Sequence, residues 1–387
     1  MLKLQHPDQV LFVMVSYFPI PRMVGEMKSK PTQHAVRSLN TAGIQPDIIL
    51  ARASVPLDKP RKQKVSIFCN MQEQDIISAP DVSSIYEVPL NFEKEGLGDR
   101  LLEKFRMPIR KKKDMADWTE RVRQARNAKK PVKIGIVGKY FDTGAFTLSD
   151  SYISVIEALK HAAWAEKCLP ELHWLSAEEY EHDPKALWGL RDFDGIVVPG
   201  GFGSRGVEGK IRVIEFCRKN NIPYLGLCYG MHLAVVEFAR NVAHMEDAHT
   251  TEVNSKTKYP VIDVLPEQKE HIEKKQMGGS MRLGSYACKL QAGTKAHEAY
   301  GEPRVKERHR HRYELNNTFR DRLTKKGLVV SGINPERNLV EIIELPNHPF
   351  FVGTQFHPEL QSRFLNPHPL FLAFIQAAGK KSLMQRL

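Results

Sequence analysis

The chain has 387 residues, 42% of them hydrophobic and 26% charged, which is long enough for two domains with a substantial core and ordinary for a soluble globular protein. Five scattered cysteines do not make a disulfide framework and point to a reducing, cytoplasmic setting. The net charge of +12 favours anionic partners such as nucleotides, while the short apolar run 10–18 lacks the basic flank and cleavage site of a signal peptide and is too short to span a bilayer.

In chain order, Gln9–Ser16 reads as a strand, and Thr32 or a neighbour is expected to cap a helix through His34–Asn40. Ile44–Leu50 reads as a buried strand, Lys64–Asn70 opens a further element, and Asp75–Val82 and Ser84–Pro89 read as short strands and loops. Alternating strands and helices predict a parallel α/β unit over residues 1–105. Lys28 and Lys30 place two ammonium groups at a loop-to-helix start, a setting that suits polyphosphate. Taken alone, they are more simply solvated surface lysines. A basic stretch over 104–133, including Arg110–Lys113 and Lys129-Lys130, reads as a solvated interdomain linker over 106–131. It lacks the aromatic pattern of an RNA-binding surface.

Residues 132–387 open with the strand Val132–Lys139, an amphipathic helix over Ser151–Ala163 and a strand at Leu172–Leu175. Phe193–Pro199 is a buried strand running into the glycine-dense loop Gly200–Gly206. Such a loop aims backbone N–H groups at a developing oxyanion, and Gly201 and Tyr229 are the candidate donors. It is not a P-loop, because Gly209-Lys210 is followed by Ile211. Next come a strand over Ile222–Leu227 and a helical pattern over Met231–Arg240, with charge at Glu237 and Arg240. Between them, Gly226-Leu-Cys228-Tyr-Gly230 has the G-x-S-x-G spacing of a nucleophile elbow with Cys for Ser. The pentapeptide alone fits a buried structural cysteine equally well. The strand Phe350–Phe356 followed by His357-Pro-Glu359 separates the two readings. Residues two apart in extended chain share a side, so Glu359 can orient His357 as the base that a cysteine nucleophile needs.

These three motifs in this order resemble the class I glutamine amidotransferases, in which a Cys-His-Glu triad releases ammonia from glutamine. The resemblance implies a doubly wound parallel-sheet amidotransferase domain over 132–387, with its site at the carboxyl ends of the strands. Lys28–Gln33, Ile44–Asp47, Phe68–Asn70 and Ser84–Tyr86, with Met277–Gly284 and Arg308–Glu314 further on, resemble the CTP synthases more narrowly. On that resemblance residues 1–105 are a partial α/β amidoligase (P-loop-like) domain. It implies catalytic roles for Cys228, His357 and Glu359, and glutamine contacts from Gly201, Tyr229, Gly230, Met231, His232, Glu252 and Arg312. Lys28, Ser29, Lys30, Pro31, Thr32, Gln33 and Lys64 would bind UTP or the inhibitor CTP, and Asp81 and Val82 would contact ATP. It further implies ATP-dependent amination of UTP to CTP, GTP as effector, a homo-oligomer (a tetramer in the family), and neither nucleic acid nor membrane as partner.

The sequence departs from that pattern in three places. The glycine loop and acidic metal ligands with which CTP synthases begin find no match, so the main ATP and Mg²⁺ ligands are expected outside this chain. The alternatives this leaves are a stand-alone glutaminase subunit and a non-catalytic nucleotide-binding or assembly subunit. His232 stands where the family usually has Gln, and Tyr229 where Leu is usual. The charged stretch 256–276, read as a lid, looks shorter than in many relatives. No metal site is assigned to the His-rich Arg308–Arg312 run, because the interleaved arginines repel a cation.

Overall fold

The structure, a computed structural model, describes residues 1–23, 25–110, 114–138, 152–264 and 281–386. It divides into two compact units, Met1–Val122 and Arg123–Leu387. The stretch expected as a linker contains a helix, Ala116–Asn127, that spans the division. Residues 277–280 of one quoted motif and 265–276 of the expected lid lie outside the described residues.

In the smaller unit β1 (Val13–Tyr17), β2 (Ile48–Ala53) and β3 (Ile76–Pro80) form a parallel sheet in that order. β1 starts later than its composition suggests, because Phe12 N–H is taken by the Asp47 carboxylate at 2.7 Å. The helix after it begins at Lys30, so the expectation that Thr32 caps a helix starting later is corrected. The Thr32 hydroxyl is buried in the first turn, 2.7 Å from that of Ser16. Lys64–Asn70 belongs to a helix, Lys59–Cys69, that starts where Asp58 accepts from Arg61 N–H and stops at Asn70 with φ 52°. Ser84–Pro89 is helical: a short 3₁₀ turn, Ile85–Glu87, leads into the helix Val88–Lys94. Phe18, Val36, Ile49, Val65 and Ile76 form the core, and Val15 and Tyr17 on the edge strand β1 remain exposed.

The larger unit contains β4 (Lys130–Gly138), β5 (Cys168–Ser176), β6 (Gly195–Val198), β7 (Tyr224–Leu227), β8 (Ala248–Thr250), β9 (Tyr259–Val264), β10 (Arg282–Leu290), β11 (Arg304–His311), β12 (Tyr313–Leu315), β13 (Val329–Asn334), β14 (Leu339–Glu344) and β15 (Phe351–Thr354). Nine of them make one sheet in the order β11-β10-β13-β14-β15-β7-β6-β4-β5, and β12-β9-β8 make a small second one. From β15 to β5 the large sheet is parallel; from β11 to β15 it is antiparallel. The doubly wound arrangement holds in the parallel part, which is the part that carries the elbow. Strand side chains alternate between two cores: Ile196 and Val198 go to one face, and Val197, Leu225 and Leu227 to the other. Helices Val207–Lys219 and Tyr229–Asn241 cover the first face; Ile153–Ala165 and Pro369–Arg386 cover the second.

Glu237 does not lie on a solvent face as its charge suggests. It is fully buried and takes the Arg218 guanidinium bidentately at 2.6 and 2.9 Å, joining the two helices of the first face. Close packing also sets the glycines of the elbow. A Cβ on Gly230 would lie 2.1 Å from the Val198 carbonyl oxygen, and one on Gly226 would lie 2.6 Å from the Tyr224 hydroxyl. Gly230→Ala is therefore expected to lower stability by about 1–3 kcal/mol, the usual range for overpacking, as measured by urea unfolding.

Candidate active site

β7 ends at Leu227 and the helix begins at Tyr229, leaving Cys228 to make the whole turn at φ 47°, ψ −98°. A non-glycine residue holds this conformation only when its neighbours enforce it. Here Cys228 N–H donates to Thr354 O at 2.6 Å, and its carbonyl accepts the first helical bond, from His232 N–H at 3.1 Å. The Tyr224 hydroxyl, donating to Gly230 O at 2.9 Å, ties the turn to the strand before it. The thiol thus sits at a helix N-terminus, where the dipole favours a thiolate.

The parallel pairing of β15 with β7 delivers His357 to the same end of the sheet. Its backbone N–H is held by Arg308 O at 2.8 Å, and its Nδ1 donates to Glu359 Oε1 at 2.7 Å. The remaining nitrogen, Nε2, is buried, with Cys228 as its side-chain neighbour. Gly200 makes room for the ring: a Cβ there would lie 2.9 Å from His357 Cε1 and 3.8 Å from Cys228 Cβ. Burial works against a charged imidazole, but the adjacent Cys228 and Glu359 outweigh it and push His357 up to about 11. The arrangement is a cysteine beside an imidazole whose second nitrogen is oriented by Glu359.

Cys228, Tyr229, Gly201, His232, Glu252, Arg312, His357 and Glu359 all face one cavity of ≈ 630 Å³. The fold brings them together from five separate stretches of chain. Glu252 accepts Gly203 N–H at 2.7 Å, which ties the residue after β8 to the glycine loop. One expectation needs correction. Gly230 and Met231 lie behind the elbow and not in the cavity, because the helix turns them onto Val198 and Gly353. His232 lines the cavity while most of its ring is buried. Its Nε2 meets Gln355 Oε1 at 2.9 Å, and Gln355 Nε2 in turn lies 3.9 Å from Cys228 Sγ. Burial, only partly offset by hydrogen bonds to the Gln355 side chain and the Tyr313 backbone, drives His232 down to about 4, so its ring is neutral. Gly200, Gln355, Tyr152 and Tyr313 were not singled out from the sequence. Gln355 alone carried a signal, its place one residue before Phe356 and His357 on the β15 run.

In the smaller unit, Lys28–Gln33 follow β1 and Asp81-Val82 follow β3, both at carboxyl ends of parallel strands. Ser29, Thr32 and Gln33 do not present their side chains as expected. All three are buried, with Gln33 donating to the Ser29 hydroxyl at 3.1 Å, because they form the helix start. Lys28, Lys30, Pro31 and Lys64 keep exposed surface. Lys28 hydrogen-bonds Glu26 at 2.6 Å, and its proximity, with Arg61 and Lys64, holds that carboxyl below its usual range. Asp81 is paired with Arg52 at 2.7 Å. Among the described residues no group of three or more His, Cys, Asp or Glu could hold a metal ion. Among them, too, no helix is long and apolar enough to cross a membrane.

Comparison with known proteins agrees with this geometry. Residues 147–377 match the class-I glutamine amidotransferase family, and residues 1–107 match the CTP synthase N-terminus. The CTP synthase of Carboxydothermus hydrogenoformans is 51% identical over 373 residues, which are 96% of this chain and 68% of that protein. The chain belongs to the CTP synthase family. The CTP synthase of Caldanaerobacter subterraneus is 49% identical, again over 96% of this chain and 68% of the relative's length. Among solved structures, the glutaminase domain of Trypanosoma brucei CTPS with bound acivicin superposes with a TM-score of 0.59 at 36% identity, over 64% of this chain and 94% of that one. The larger unit is thus the amidotransferase part of a glutamine-hydrolysing, ATP-dependent ligase, and the smaller one carries the family's N-terminal domain.

Glu359→Gln is expected to bring the His357 titration down from about 11, since it removes one of the two groups that hold the charge. NMR of the imidazole against pH measures this. An unchanged midpoint would assign the effect to Cys228 alone.

Proposed function

We propose that this chain hydrolyses glutamine at Cys228 and supplies the ammonia for amination of UTP. The observation that supports this best is Cys228 at φ 47° on a helix N-terminus, beside an imidazole whose other nitrogen is held by Glu359 at 2.7 Å. The Cys228 thiolate attacks the side-chain amide carbon of glutamine. The oxygen becomes an oxyanion facing the Gly201 and Tyr229 N–H groups. His357 Nε2–H then protonates the departing nitrogen, the C–N bond breaks, and a glutamyl thioester and ammonia result. The now neutral His357 takes a proton from water, whose oxygen attacks the thioester and releases glutamate. Arg312 grips the substrate carboxylate with its planar fork, and Glu252 contacts the same substrate.

In the smaller unit the same reading gives Lys28, Lys30 and Lys64 to the phosphates of UTP or CTP, with Pro31 and the backbone around Ser29, Thr32 and Gln33 beside them. Asp81 and Val82 are assigned to the ATP side. The match of residues 1–107 to the CTP synthase N-terminus supports this over a free-standing glutaminase. A cytoplasmic location accords with five free, buried cysteines. Homo-oligomerisation and a response to GTP belong to the same proposal.

Cys228→Ala is expected to abolish glutaminase activity and leave the circular-dichroism spectrum unchanged; residual turnover in a clean preparation would refute the nucleophile. Arg312→Ala should raise KM for glutamine by about one to two decades with a smaller effect on kcat, because a charge-assisted hydrogen bond contributes roughly 1.5–3 kcal/mol. For the nucleotide site, the double variant Lys28→Ala, Lys30→Ala should weaken UTP and CTP binding in calorimetry without changing glutaminase activity.

A further inference from the structure

Among the described residues the largest fully buried side chain is that of Arg282, at the start of β10. Its guanidinium reaches two carboxylates from different strands: Glu314 on β12 at 3.2 Å and Glu341 on β14 at 2.5 Å. Both carboxylates are themselves buried, 2% and 0% exposed. Two neutral histidines complete the cluster. His309 Nε2 is 3.4 Å from Glu341, His309 Nδ1 meets His311 Nε2 at 2.9 Å, and His311 Nδ1 donates to Tyr313 O at 3.2 Å. The Tyr286 ring packs on the guanidinium at 4.5 Å. Nothing in the hydrolysis itself uses these groups, and a buried ionic cluster of this size is a poor source of stability, since apolar residues of the same volume serve as well or better.

Its position suggests another use. Residues 310–313 line the active-site cavity, and within them the chain leaves one sheet for another. His311 is the last residue of β11, registered opposite Arg282 on β10, whereas Tyr313 begins β12, which pairs with β9 in the small sheet. Arg312 is the single residue between the two strands. A one-residue crossing between sheets has no ladder of its own to set its direction. Arg282 stands on the side of His311 in the backbone register, and its side chain passes to Glu314 on the other side. The histidine chain does the same through the Tyr313 carbonyl. The crossing is therefore held at both ends by one buried cation and its partners.

We propose that Arg282 is a positioning residue for Arg312: through Glu314 and Glu341 it fixes the sheet-to-sheet crossing and so aims the Arg312 guanidinium at the substrate carboxylate. The inference rests on the reading of Arg312 as the carboxylate clamp. A bidentate fork tolerates little rotation, so loosening the crossing weakens ground-state binding of glutamine while leaving the Cys228–His357–Glu359 geometry intact.

The test compares Arg282→Met, Glu314→Ala, Glu314→Gln and Arg312→Ala in the full chain. Glutaminase kcat and KM are measured with glutamine, along with the rate of Cys228 alkylation by iodoacetamide, a small neutral probe that needs no carboxylate clamp. Arg282→Met and Glu314→Ala are expected to raise KM by tenfold or more, with kcat and alkylation rate within about threefold of the parent. Glu314→Gln keeps an acceptor for Arg282 and should restore a near-parental KM. If Arg282→Met does not fold, the contrast between Glu314→Ala and Glu314→Gln decides alone. An unchanged KM in folded Arg282→Met or Glu314→Ala, beside a raised KM in Arg312→Ala, overturns the positioning role. A parallel loss of kcat, KM and alkylation reduces the cluster to general structural support and overturns it as well. An unchanged KM in Arg312→Ala itself overturns the clamp reading on which the inference rests.

Discussion

The approach of Gly230 to the Val198 carbonyl is the constraint on which the rest of the active site depends. With no side chain at Gly226 or Gly230, the strand-to-helix turn packs directly on β6, and the whole reversal of the chain falls on Cys228. The turn is then pinned across the sheet by Cys228 N–H on Thr354 O. That one bond joins the nucleophile to the strand that carries its base three residues later. The strain at Cys228 is sustained by packing from both neighbouring strands, which is how a non-glycine residue persists at positive φ.

Charge is distributed around this turn with a clear division of labour. His357 is pushed up because Cys228 and Glu359 favour its cation over the opposition of burial. His232, His309 and His311, all close by, are pushed down by burial and stay neutral. Of these four imidazoles only His357 is pushed toward the charged form, and the other three are held neutral. His232 shows the effect most directly: its ring holds Gln355, whose amide lies against the Cys228 sulfur. The imidazole is thus held in place by a specific neighbour.

The mixed character of the large sheet gives the two halves of the site different origins. The parallel strands bring the nucleophile, the glycine loop and the base to their carboxyl ends, as parallel α/β sheets do. The antiparallel strands contribute the arginine- and histidine-rich wall, ending in the single-residue crossing at Arg312. Cys228, His357 and Glu359 from the parallel part and Arg312 from the antiparallel part then meet in one cavity.

The sequence by itself determined the candidate reactive groups of the site. Cys228, His357 and Glu359 were legible because local rules govern them: glycine spacing marks an elbow, and a period of two places His and Glu on one side. The parallel α/β class was legible from the alternation of apolar runs and helical patterns. Only the tertiary structure decided where the histidines and the buried charges act. Nothing local says that Glu237 is enclosed by Arg218, that Ser29, Thr32 and Gln33 turn inward, or that His232 leans on a glutamine 123 residues away. Those outcomes depend on which strands and helices become neighbours. Burial and pairing across the sheet then set the charge of each group, and neither quantity is a property of a short stretch of chain.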